Sequence, residues 1–172
     1  MKTVYFSIAN RSNLDETLRN GIVHLSSESS SSPIALKLIT DETEDDVGPA
    51  AGLLAAHRSD PTATWLVIAC DYPLLQAAAV HQLMESYEAP ATCFKNADGF
   101  SEPLLGIWSP HALQTLDENV SSGRSGPAYT LRRLDSKLIT PAQEEWLTNV
   151  NTKQEWESAK ARMQRDQSKD GL

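Results

Sequence analysis

Residues 65 to 70 read WLVIAC, six apolar positions in a row closed by Asp71, Tyr72 and Pro73. A strand with one wet face alternates apolar and polar residues; this run does not. It therefore predicts a strand buried on both faces, the pattern of a parallel strand with helices above and below it. That requirement already selects an α/β architecture over a lone helix bundle or an open antiparallel sheet.

The flanking sequence supplies the other layers. Residues 3 to 9 (TVYFSIA), 34 to 39 (IALKLI), 91 to 95 and 103 to 108 read as further strands. Between them lie helix-forming segments. AAGLLAA begins at Ala50, and residues 74 to 87 place Leu75, Ala79, Leu83 and Tyr87 four apart on one face. Ser109 before Pro110 is an N-cap followed by proline at the first helical position, opening a helix to about Val120. Residues 128 to 134 predict a short helix, as do residues 15 to 20 ahead of Gly21, and SSESSSSP at 26 to 33 reads as a surface loop. Thr152 with Glu155 forms a capping box that starts the last helix, whose apolar face carries Trp156, Ala159 and Met163. Strands alternating with helices predict a mostly parallel sheet covered on both faces.

Composition narrows the function. The chain of 172 residues has the length of one domain and a formal charge of −8. Such an acidic surface repels the phosphates of DNA and RNA, which excludes general nucleic-acid binding but not one nucleotide held with a metal ion. No run approaches the roughly 18 apolar residues of a membrane span, and the opening segment is too short and too polar for a secretory signal. Cys70 and Cys93 stand outside any CxxC pattern, so neither a disulfide framework nor a zinc site is expected. A cytoplasmic, reducing location follows from these absences.

In open α/β sheets ligands bind beyond the carboxyl ends of the strands. Asp71 sits there, with Pro73 restricting the backbone behind it. A carboxylate so placed suits Mg²⁺, which takes hard oxygen ligands and often one or two carboxylates plus phosphate oxygens; it also suits a turn or helix N-cap. Asp41 follows IALKLI and leads, through a run of carboxylates, to Gly48-Pro49-Ala50-Ala51-Gly52. That segment reads either as an anion-accepting turn at a helix N-terminus or as a plain acidic connection. Asn149-Val150-Asn151-Thr152 is expected at a strand end and a helix start, where the two amides can read a polar heterocycle or a phosphate, or cap the helix. Weaker signals are Glu102, a pocket carboxylate or an exposed loop residue, Arg124 in the SGRSGP turn, and Cys70, read as packing. The four histidines are dispersed, and no GxSxG nucleophile motif is present.

Taken in order, SIANRSN at 7 to 13, LITDETEDDVGPAAGLLAA at 38 to 56, WLVIACDYPLL at 65 to 75, EPLLGIWSP at 102 to 110 and NVNT at 149 to 152 resemble the nucleotidyltransferase family that includes molybdenum cofactor guanylyltransferase. The resemblance implies a Rossmann-like three-layer α/β/α fold over residues 1 to 160, with a polar tail at 161 to 172. It implies transfer of GMP from GTP to the phosphate of molybdopterin with release of pyrophosphate. Asp71 would hold Mg²⁺ against the triphosphate and act in catalysis. Ile8, Asn10, Asp41, Gly48, Pro49 and Gly52 would lie on the nucleotide side, and Asn149 and Asn151 would contact the pterin. The family opens with a strand and a loop of the form L-A-G-G-x-S-x-R-M-G-x-D-K, and this sequence has no Gly-Gly. The resemblance thus implies a domain lacking its first strand, phosphate loop and helix, with a protein partner or that N-terminal segment completing the sheet. A non-catalytic relative, or one transferring a cytidylyl group or using a sugar phosphate, are the alternatives.

Overall fold

The computed structural model describes residues 2–8, 34–40, 48–124 and 126–167. The chain divides into two compact units, Met1–Ala63 with Pro110–Thr130, and Thr64–Ser109 with Leu131–Leu172.

In the first unit, β1 (Lys2–Ile8) pairs in parallel with β2 (Ile34–Thr40), Ser7 opposite Ile39 and Ile8 opposite Thr40. Helix α1 (Ala50–Ser59) buries Ala50 and Leu53 through Ala56. It comes close to the sheet at Gly52, where a Cβ would stand 3.2 Å from the Ser7 hydroxyl. Helix α3 (Pro110–Ser121) packs beside α1 and buries Ala112, Leu113 and Leu116. Its end is fixed by Gly123, whose φ of +77° suits glycine and lets Arg124 N–H return to the Asn119 carbonyl at 2.8 Å. The Asn119 amide is buried and donates to Thr130, in α4 (Pro127–Arg133), at 2.8 Å.

The second unit is built on a four-stranded sheet. Its strands are β3 (Trp65–Ile68), β4 (Ala91–Lys95), β5 (Ser101–Trp108) and β6 (Lys137–Ile139), in the order β3-β5-β4-β6. β5 runs antiparallel to both β3 and β4, and β6 runs parallel to β4. Three strands therefore share one direction and β5 is the reversed one between them. With the parallel β1–β2 pair, this is the mixed, mostly parallel α/β arrangement expected. Gly106 lets β5 meet β4: a Cβ there would lie 2.7 Å from both the Cys93 Cβ and the Thr92 carbonyl.

Helix α2 (Ala77–Ser86) covers the sheet, and a core forms from Ala79, Leu83, Phe94, Leu105, Ile107 and Trp146, with Tyr72, Leu75, Tyr87, Ile139 and Leu147 against it. The face Leu75, Ala79, Leu83, Tyr87 thus turns inward as its spacing predicts, although the helix itself starts at Ala77. Gln82 on α2 donates to the Thr140 carbonyl at 2.9 Å and accepts from Ala142 N–H at 3.0 Å, tying down the chain after β6. A 3₁₀ turn (Glu144–Leu147) brings Trp146 into the core, and α5 (Lys153–Gln167) follows.

Three expectations are corrected. WLVIAC is not buried on both faces: the strand stops at Ile68, and Leu66 and Ile68 are 38% and 45% exposed. The physical reason is that one face of β3 is left uncovered, since the exposed residues alternate along the strand. Cys70 is exposed in the turn beyond the strand rather than packed. The NVNT segment follows a 3₁₀ turn, not a strand. β6 was not foreseen, because three residues carry too little pattern. The short helix at 15 to 20, the loop at 26 to 33, Asn10 and Asp41 lie outside the described residues. No helix among the described residues is long and apolar enough to cross a membrane.

Candidate functional site

The turn after β3 and the segment before α5 are far apart in sequence and joined at two levels. Ala69 N–H extends the β3–β5 ladder to the Leu104 carbonyl at 2.9 Å, and Leu75 N–H closes the turn around Pro73 on the Tyr72 carbonyl at 3.1 Å. The main chain of Asp71 then accepts Val150 N–H at 2.9 Å. Its side chain accepts Asn149 Nδ2 at 2.5 Å through Oδ2. The Asn149 Oδ1 in turn accepts from Asn151 Nδ2. Asp71, Asn149 and Asn151 are therefore one continuous hydrogen-bonded chain of side chains.

One atom of this chain is left over. Asp71 Oδ1 is inaccessible to solvent and has no hydrogen-bond partner among the described residues. An unpaired buried carboxylate oxygen is costly, so an electropositive group belongs beside it. No cluster of three or more His, Cys, Asp or Glu surrounds it among the described residues. That donor set does not fit a metal caged by protein alone. It fits a hard cation that takes one carboxylate oxygen and completes its shell with phosphate oxygens and water, as Mg²⁺ does.

Tyr72, which sequence reading passed over, stands next to Asp71 in the turn. Its hydroxyl donates to Glu102 Oε2 at 2.9 Å. Burial, followed by the Glu102 hydrogen bond and charge, raises its pKa well above the ordinary phenol value, so it is a neutral donor at working pH. The signal available in the sequence was only adjacency to Asp71. Cys93 lies beneath, buried, its thiol pushed up to about 12 by that burial, and is no nucleophile.

Beyond Asn149 an open cleft is lined by Leu74, Thr148, Thr152, Glu155, Ser158 and Arg162, among others. At the α5 N-terminus beside it, two backbone amides are already engaged. Glu155 Oε2 accepts Asn151 N–H and Thr152 N–H, both at 2.9 Å, and Thr152 Oγ1 accepts Glu155 N–H at 3.2 Å. The backbone bond from Asn151, ahead of those from Thr152, lowers the Glu155 pKa below the usual glutamate value. The capping box is thus formed, and its carboxylate holds the Asn151 and Thr152 amides.

The remaining sequence-derived residues lie in the first unit. Ile8 ends β1, half-buried. Gly48 has φ +56° and accepts Ala51 N–H at 3.0 Å, and Pro49 caps α1 without a side-chain bond. Gly52 serves the approach of α1 to Ser7.

Comparison with known proteins matches this arrangement. Residues 13–138 match the model of the MobA-like NTP transferase domain. The molybdenum cofactor biosynthesis bifunctional protein of a Synechocystis species is 35% identical over 65% of this chain and 33% of its own length. Molybdenum cofactor guanylyltransferase of Pseudomonas fluorescens is 29% identical over 70% of this chain and 62% of its own. The chain thus spans between a third and about three fifths of these relatives. Among solved structures, molybdopterin-guanine dinucleotide biosynthesis protein A of Archaeoglobus fulgidus superposes with a TM-score of 0.66 at 20% identity, covering 94% of this chain and 78% of that one. A protein of Aquifex aeolicus superposes with a TM-score of 0.64 at 19% identity, covering 88% of this chain and 94% of that one, so these two speak for the fold alone. With the family model covering well over half of its residues, the chain belongs to the MobA-like NTP transferase domain family.

Proposed function

We propose that this chain transfers a guanylyl group from GTP to the terminal phosphate of molybdopterin, releasing pyrophosphate. The observation that carries the reading is the Asp71–Asn149–Asn151 chain, with one carboxylate oxygen satisfied by an amide and the other buried and unpartnered. The names of the curated relatives supply the guanine nucleotide and the cofactor pathway.

In this reading an oxygen of the acceptor phosphate attacks the α-phosphorus in line. The new P–O bond forms as the bond to the bridging α–β oxygen breaks, and the electron pair leaves with pyrophosphate. No covalent enzyme intermediate is needed, so the side chains contribute position and charge. Asp71 Oδ1 would hold Mg²⁺, which would supply charge compensation at the triphosphate. Asn149 keeps Asp71 Oδ2 occupied, which leaves Oδ1 available. Asn149 and Asn151 contact the pterin at the edge of the cleft. Ile8, Gly48, Pro49 and Gly52, with Asn10 and Asp41, contribute on the nucleotide side.

Incubating the full chain with GTP, MgCl₂ and molybdopterin, and following pyrophosphate together with a calorimetric titration of Mg-GTP, tests the reading. Pyrophosphate dependent on molybdopterin is expected. A folded sample giving neither heat nor pyrophosphate would overturn it in favour of a non-catalytic relative. Turnover with CTP in preference to GTP would replace the guanylyl assignment by the cytidylyl one.

A further inference from the structure

Asn149 and Asn151 account for only one end of the cleft beside α5. The cleft has a volume of about 520 Å³, within the range of roughly 300–1,000 Å³ usual for small-molecule sites. Leu74, Val150 and Ala159 give it an apolar lining, and Ala159 is buried. Its long wall is α5 itself. Glu155, Ser158, Ala159 and Arg162 all line it, and their spacing of three, four and seven from Glu155 puts them on one helix face. The start of that wall adjoins Asn149 and Asn151, the amides bonded in series to Asp71. Arg162 stands two turns further along the helix than Glu155, a rise of roughly 10 Å.

Two charged side chains line the cleft, and they differ in what holds them. Glu155 is engaged by the Asn151 and Thr152 N–H groups. Arg162 has neither an ion pair nor a hydrogen bond among the described residues, whereas Lys160, two positions before it, pairs with Glu157 at 3.5 Å. A guanidinium is a permanently charged, planar set of donors with no acceptor. It therefore selects a carbonyl or anionic oxygen and gives nothing to an amino group. The reacting phosphate of the acceptor has to lie at Asp71, so it is not the group that meets Arg162. The opposite end of the acceptor, its heterocycle, is what extends along α5. A flat ring suits the apolar lining, and a pterin carries its keto oxygen at C4 and its amino group at C2.

We infer that Arg162 is a specificity-determining residue for the acceptor, donating to the 4-keto oxygen of the pterin ring at the far end of the α5 cleft. This rests on the guanylyl-transfer reading above for the identity of the acceptor. A ring held by Arg162 at one end and by Asn149 and Asn151 at the other has its phosphate directed toward Asp71. Arg162 acts in holding the acceptor and takes no part in the bond changes, so its loss is read in acceptor affinity and not in turnover at saturation.

The test titrates the full chain, without nucleotide or metal, with 6-hydroxymethylpterin, followed by the fluorescence of the ring. The control probe is 2,4-diamino-6-hydroxymethylpteridine, which has an amino group in place of the keto oxygen. Arg162 is exposed and alanine is a good helix former, so Arg162→Ala is expected to fold. The pterin is expected to bind the unsubstituted chain, about tenfold more weakly to Arg162→Ala, and at an intermediate level to Arg162→Lys. The diamino probe is expected to bind the unsubstituted chain about as weakly as the pterin binds Arg162→Ala. In turnover, Arg162→Ala is expected to raise KM for molybdopterin about tenfold and to leave kcat and Mg-GTP affinity unchanged. Equal pterin affinity in the unsubstituted chain and Arg162→Ala would overturn the inference, as would no binding of the pterin to the folded chain. Equal binding of the two probes would remove the keto oxygen as the group recognised, and displacement of the pterin by GTP would give the cleft to the nucleotide; either overturns it. Arg162-dependent pterin binding in a chain that releases no pyrophosphate from GTP would support the inference and overturn the transfer reading instead.

Discussion

Two connections in this protein occupy the same topological place, each leading from a strand into a helix, and they are specified in different ways. The described end of the β2–α1 connection is held locally: Gly48 takes a positive φ and its carbonyl receives Ala51 N–H three residues on. The β3–α2 connection is held from a distance. Asp71 is bonded by a residue 78 positions later, and Tyr72 by one 30 positions later. A local turn is written in its own few residues and survives changes elsewhere. A turn closed by tertiary bonds depends on several segments at once, and that dependence fixes side chains as well as backbone. Fixed side chains are what positional catalysis requires.

The largest expected effect breaks the second region at its centre. Asp71→Asn removes the charge and replaces one oxygen by a donor, while keeping the shape. Turnover is expected to fall by about a hundredfold or more, with the melting temperature close to that of the unsubstituted chain. Steady-state kinetics beside a thermal melt read both; unchanged turnover would mean that the buried Oδ1 has no part in the reaction. Asn149→Ala comes next. It leaves Asp71 intact but removes the amide that orients it. The loss of a hydrogen bond to a charged group corresponds to roughly tenfold in kcat/KM. If kcat/KM is unaffected, the two connections differ in architecture but not in function.

What could be read in advance follows the same division. The strands and helices with several repeats of their pattern were legible: the inward face of α2, the Ser109-Pro110 helix start, and the capping box at Thr152 and Glu155 all rest on residues within a few positions of each other. Asp71 and the NVNT amides were legible as separate signals at element ends. Their union was not, because nothing local in either segment says that Val150 N–H finds the Asp71 carbonyl. Tyr72 escaped notice because an aromatic residue after a strand is ordinarily packing, and its ring does pack; only the hydroxyl's partners give it a second role. β3 failed in the opposite sense. Its uniform apolarity predicts burial on both faces, but Leu66 and Ile68, two apart on the same face, are exposed. Apolarity reports what a strand tolerates, and neighbours decide what it receives.

A change in the first region sharpens the contrast from the other side. Gly48→Ala meets no steric obstacle, since nothing lies within 4 Å of the new Cβ, but the φ of +56° is strained for any residue with a side chain. A destabilisation of about 1 kcal/mol is expected, read as a lower urea midpoint with an unchanged slope. Because the turn is local, the Asn149 and Asn151 side-chain amide resonances should not respond. If they do, the specification of the two connections is shared rather than separate.

The smallest effect belongs to Glu155, which sits beside the long-range network yet makes only local bonds. Its carboxylate accepts Asn151 and Thr152 N–H and lies in the first turn of α5, where a negative charge is favoured by the helix dipole. These bonds hold its folded pKa below the usual glutamate value. A depressed carboxyl pKa contributes stability that is present above the unfolded value and is lost as pH falls through the folded one. Glu155→Gln is therefore expected to lower the melting temperature slightly at neutral pH, and the difference from the unsubstituted chain should shrink as the pH is taken below the ordinary glutamate range. Melting curves from neutral to acid pH check this. A difference that stays constant with pH would assign the cap to hydrogen-bond shape rather than charge. If Glu155→Gln also moved the Asn149 side-chain resonances, the cap would belong with Asp71 and not with the local turns.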